Sequence, residues 1–104
     1  MLVVTRFQVP EAGVGAFQAQ ADATMDVLRT RAGLASIELV RNLDEPELWC
    51  MLSRWADVGS YRRALQGYES KMTVVPLLSL AIDEPSAYDN PDDVGLNIPR
   101  DLGR

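Results

Sequence analysis

A chain of 104 residues is long enough for one domain with one core. Its hydrophobic content of 47% is ordinary for a globular protein, and no apolar run approaches the ~20 residues of a membrane span. A net charge of −5, with close basic pairs only at Arg29/Arg31 and Arg62/Arg63, argues against a nucleic-acid partner, because phosphate backbones are repelled.

The start, "MLVVTRFQV", enters an alternating pattern without a basic, signal-like region, so a mature, cytoplasmic protein without a membrane partner is expected. Residues 2–9 are rich in β-branched and aromatic types and predict a strand. Leu2, Val4, Arg6 and Gln8 share one face, and Val3, Thr5, Phe7 and Val9 share the other. Pro10 and Glu11 suit a first helical turn. Val14, Phe17, Ala21, Thr24 or Met25, and Leu28 then recur at helical spacing, and Gly33 follows as a terminator. "LASIELVRN" (34–42) predicts a second strand, "LDEPE" (43–47) a turn, and "LWCMLSRW" (48–55) a third strand antiparallel to the second.

On that third strand Trp49, Met51, Ser53 and Trp55 alternate with Leu48, Cys50, Leu52 and Arg54. A single cysteine rules out an internal disulfide, and Cys50 reads as a small hydrophobe. Asp57 can cap a helix whose face carries Tyr61, Leu65 and Tyr68, with Gly67 interrupting it. A further helix through "VVPLLSLAI" (74–82) tolerates Pro76 only in its first turn. A short fourth strand is expected near residues 86–89. "DEP" occurs twice, at 44–46 and 83–85, and both copies read as turns leading into strands. The polar segment 91–104, rich in Pro, Gly and Asp, is expected to be disordered or to wrap on a partner subunit. The resulting α+β order, β-α-β-β-α-β over residues 1–90, is the ferredoxin-like split βαβ pattern. It leaves one partly apolar sheet face bare, so a homodimer is expected.

Three stretches, "LVVTRFQV", "LWCMLSRWADVGSYRRAL" and "VVPLLSLAIDEPSAY", carry a resemblance to the antibiotic biosynthesis monooxygenase family of the dimeric α+β barrel superfamily. The resemblance implies a homodimeric barrel with a pocket between sheet and helices in each subunit. It also implies oxygenation of an aromatic, polyphenolic or quinone-like molecule without metal or flavin. Haem-degrading relatives resemble one another in a strand-one Asn, a strand-three Trp and a helix-two His. Trp55 matches the second and Thr5 stands at the first, but the chain has no histidine, so haem is disfavoured. Trp55 and Tyr61 resemble part of the cofactor-free oxygenase set and are the catalytic candidates. Met51 stands where such enzymes favour Asn.

Substrate-binding candidates are Tyr68, Arg54, Met51 and Thr5, with Arg6 a further hydrogen-bond donor. No residue is assigned to a metal or cofactor, and with histidine absent the only candidate bases are Glu38 and Glu69. Core packing is the competing explanation for Trp49 and Met51. The alternative function is a non-catalytic dimeric module that binds a small molecule or acts as a scaffold.

Overall fold

The computed structural model describes residues 1–94. Strand β1 (Leu2–Gln8) leads through a 3-10 turn (Glu11–Gly13) into helix α1 (Val14–Arg29). Strands β2 (Leu34–Arg41) and β3 (Leu48–Trp55) form a hairpin, followed by helix α2 (Val58–Ala64). A π-helical segment (Ser70–Val74) runs into helix α3 (Val75–Leu78). Strand β4 (Ala87–Tyr88) and one helical turn, α4 (Pro91–Val94), complete the described chain. The sheet order is β2-β3-β1-β4 with every pairing antiparallel, which is the ferredoxin-like arrangement. The expected tail falls mostly on residues 95–104, outside the described residues; Pro91–Val94 within it is helical.

Period-two alternation sorts the central strands as the sequence predicts. Val3, Thr5 and Phe7 on β1 and Val9 just beyond it, with Trp49, Met51, Ser53 and Trp55 on β3, are buried against the helices. From α1 the stripe Phe17, Ala21, Thr24, Met25 and Leu28 meets them. Phe7, Phe17 and Trp49 form a continuous aromatic run, with ring centroids 5.1 and 5.6 Å apart. Fully burying a side chain such as Phe7 or Leu77 contributes about 2–3 kcal/mol. The opposite sheet face, with half-buried Leu2, Val4, Leu48, Cys50 and Leu52, has no helix over it among the described residues. Among the described residues no helix is long and apolar enough to cross a membrane.

The turn between β2 and β3 is organised by Asn42 rather than by the Asp-Glu-Pro run. Its side-chain oxygen accepts from the backbone N–H groups of Asp44 (2.8 Å) and Glu45 (2.7 Å), an Asx turn. At the other end of the hairpin, Gly33 adopts φ +94° and packs directly on Ser60. Asp57 caps α2 by accepting from the Ser60 N–H at 2.7 Å.

Two expectations change in the helical layer. The face Tyr61–Leu65–Tyr68 is not continuous, because α2 ends at Ala64 and Gly67, at φ +92°, redirects the chain. Tyr68 is consequently 79% exposed. The expected helix over 74–82 begins earlier and stops at Leu78. Pro76 has no N–H, and its ring conflicts with the carbonyl four residues back. The chain answers with the wider π turn, in which the Val75 N–H reaches the Ser70 carbonyl. Ser70 is fully buried and fixes this segment: its hydroxyl donates to the Ala64 carbonyl (2.6 Å) and accepts from Arg31 (2.8 Å).

Candidate functional site

Beyond α3 the chain returns along the free edge of β1. The Ile82 N–H donates to the Arg6 carbonyl at 2.9 Å, and the Val4 N–H donates to the Ser86 carbonyl at 2.7 Å. Between these two bonds residues 83–85 bow outward as a strap. A cleft of about 350 Å³ lies there, bounded by Thr5 and Arg6 on β1, Tyr61 on α2, Leu78 and Ser79 at the end of α3, and Asp83 and Glu84 on the strap. That volume lies in the range of small-ligand sites.

Tyr61 sits in the second half of the first turn of α2, where the Asp57 cap fixes the helix start. Burial pushes its phenol above the ordinary range, so the hydroxyl keeps its proton. Its ring packs 5.7 Å from that of Trp55. Trp55 itself is only 3% exposed and does not border the cleft. Its indole N–H donates to the Ser53 hydroxyl at 2.9 Å and is therefore already engaged. Trp55 backs Tyr61 rather than touching the cleft.

At the strap, the Arg6 guanidinium grips Glu84 through two hydrogen bonds, Nε to Oε2 and Nη2 to Oε1, each 2.7 Å. This fork geometry is the strong form of the arginine–carboxylate pair. The hydrogen bond from Arg6, helped by its charge, holds the Glu84 carboxyl below its ordinary value. The same bond and the Glu84 charge raise Arg6.

The other expected residues divide. Thr5 borders the cleft beside Tyr61. Met51 does not: it is 3% exposed within the core that holds Phe17 and Trp49, because its strand face points at the helices. Arg54 is on the bare sheet face, bordering a separate depression with Met1, Tyr88 and Asn90. Tyr68 is carried away by the Gly67 break. Glu38 is exposed on β2, and Glu69 lies 3.7 Å from Arg31, so neither borders the cleft. Trp49 is a core residue with Arg41 stacked over its ring at 4.7 Å, and its indole N–H has no partner among the described residues. Burial raises the Cys50 thiol. Among the described residues no three His, Cys, Asp or Glu side chains converge as a metal-binding group.

Asp83 and Glu84 are the cleft residues that sequence reasoning passed over. The signal was the second "DEP", whose turn chemistry explained it without a site.

A family model described as antibiotic biosynthesis monooxygenase matches residues 1–74. Among solved structures, a conserved protein from Methanosarcina mazei Go1 is 26% identical, with a TM-score of 0.69 over 83% of this chain and 84% of that one. SnoaB from Streptomyces nogalater, described as a cofactor-independent oxygenase, is 22% identical, with a TM-score of 0.70 over 86% of this chain and 91% of its own. At that identity the second likeness concerns the fold alone. No curated protein matches the chain by sequence. The family match stops short of Leu78, Ser79, Asp83 and Glu84, so one wall of the cleft lies outside it.

Proposed function

The chain belongs to the antibiotic biosynthesis monooxygenase family, and from that premise we propose that it oxygenates an aromatic, polyphenolic or quinone-like small molecule in the cleft beside Tyr61. Dioxygen is the oxidant in this reading and no tightly bound cofactor is required. The observation that carries it is the roughly 350 Å³ cleft bordered by the Tyr61 phenol, at the strand-to-helix junction within the family match.

The chemistry begins with loss of a proton from an activated CH2 or phenol, giving an anion able to reduce dioxygen. Electron transfer and recombination give a peroxide. One oxygen atom becomes the new carbonyl oxygen and the other leaves as water, so CH2 and O2 become C=O and H2O. Tyr61, protonated and desolvated, donates to the developing oxyanion. Glu84 is committed to Arg6, which leaves Asp83 as the proposed proton acceptor at the rim.

Oxygen uptake with a panel of anthrones and quinols tests this directly. Tyr61→Phe is expected to lower turnover by about a hundredfold while the fold persists, and Asp83→Asn is expected to lower it as well. No uptake above buffer with any substrate removes the enzyme reading. A second reading, binding without turnover, is favoured by the engaged Trp55 indole and the buried Met51. Tight binding of the same panel without oxygen uptake would establish it.

The bare sheet face supports a homodimer closed over Leu2, Val4, Leu48 and Leu52. Light scattering at the mass of one chain would remove that proposal.

A further inference from the structure

Three charged side chains border the cleft: Arg6, Asp83 and Glu84. Arg6 is the only cation among them, and Glu84 already occupies it through both carboxylate oxygens at 2.7 Å. What remains is one carboxylate, Asp83, with no ion-pair partner among the described residues, in a chain whose net charge is −5. The site therefore presents a negative field to an approaching ligand even though an arginine stands in its wall.

The pair nevertheless retains hydrogen-bonding capacity. A guanidinium has five N–H donors, of which two are used here, and each carboxylate oxygen keeps a lone pair. Both can serve a neutral ligand carrying hydroxyl or carbonyl groups without breaking the ion pair. A ligand carboxylate, by contrast, must displace Glu84 or sit beside two like charges. Neither side chain is sealed from water, with side-chain exposures of 42% for Arg6 and 27% for Glu84, so a displacement of this kind is sterically open.

We infer that Glu84 is a specificity-determining residue: by occupying Arg6 it makes the cleft select neutral, hydroxyl-bearing aromatics and reject aromatic carboxylates. The inference rests on the assignment of the cleft as the ligand site. Discrimination here comes from withholding a cation as much as from offering contacts. The strap that supplies Glu84 lies beyond the residues that the family model matches.

Calorimetric titration near neutral pH with 2-naphthol and 2-naphthoate separates the possibilities. The unaltered protein is expected to bind the naphthol at least about tenfold more tightly than the naphthoate. Glu84→Gln, nearly isosteric, releases the guanidinium and is expected to tighten naphthoate binding by about tenfold while moving naphthol by less than about threefold. The double variant Arg6→Gln/Glu84→Gln removes the cation as well, and the gain should vanish. Circular dichroism of each variant confirms that the fold survives. Equal binding of both probes to the unaltered protein overturns the inference while leaving the cleft as a ligand site. A naphthoate gain that persists in the double variant overturns it also. If neither probe binds any variant, the assignment of the cleft itself fails, and the inference with it.

Discussion

Alanine at Gly33 meets two separate penalties, and a second glycine separates them. Gly33 has φ +94° and Gly67 has φ +92°, so each holds a backbone conformation that an L side chain resists at about 1–2 kcal/mol. A Cβ at Gly67 would meet no atom within 4 Å, whereas one at Gly33 would lie 2.4 Å from the Ser60 Cβ and 2.5 Å from its Oγ. Ser60 is buried in the first turn of α2, and its backbone N–H makes the cap bond to Asp57, so it has little room to yield. Overpacking of that kind adds about 1–3 kcal/mol. Gly67→Ala is therefore expected to cost about 1–2 kcal/mol and Gly33→Ala about 2–5 kcal/mol, the latter a large share of a small domain's stability. Urea unfolding followed by circular dichroism gives both values on one scale. Because Ser60 precedes Tyr61, Gly33→Ala should also weaken ligand binding in the cleft, and Gly67→Ala should not. Equal losses for the two variants would refute the claim that the Gly33–Ser60 contact carries energy beyond the backbone term.

Met51→Asn should destabilise by about 2–4 kcal/mol, since it buries an amide among Phe17 and Trp49; denaturant midpoints check this, and an unchanged midpoint would mean that the site hydrates. Trp55→Phe removes the bond to Ser53 and leaves a void, with an expected loss of about 1–3 kcal/mol by the same measurement. Glu84 and Asp57 both have carboxyls held below their ordinary values, by Arg6 and by the Ser60 cap bond respectively. A depressed carboxyl stabilises the fold above its unfolded value and loses that contribution as the pH falls through its folded value. Stability should therefore decline on acidification through the acid range, and Glu84→Gln with Asp57→Asn should flatten that decline; an unflattened profile would assign the acid sensitivity to other groups.

The strand faces were legible because burial on one side of a sheet imposes a period of two that nothing local contradicts. Val3, Phe7, Trp49 and Met51 all followed it. The cap at Asp57 and the terminator at Gly33 were equally local. The end of α3 was not, because Pro76 could be accommodated either by starting the helix there or by widening the turn before it, and buried Ser70 decides for the second. Gly67 was legible as an interruption of the helix, but that it carries Tyr68 away from Tyr61 follows only from its φ of +92°. Trp55 looked like a polar handle at a strand end, but whether an indole N–H faces a cleft or a neighbouring serine depends on a rotamer that spacing does not encode. The carboxylates of the cleft were hidden for a related reason. Asp83 and Glu84 sit in a turn sequence that also occurs at Asp44 and Glu45, and only the return of the chain along β1 distinguishes the two.

The strap is moored to β1 by the Ile82–Arg6 and Val4–Ser86 backbone bonds on either side of its outward bow. Peptide groups make those moorings, so they are indifferent to which side chains lie between them. Residues 83–85 thus behave as an exchangeable cassette: their identities can drift, or be replaced by those of a relative, while the anchors on β1 stay in register. In such an architecture the charge that meets the ligand and the group that takes its proton can be exchanged together, without disturbing the sheet that carries them.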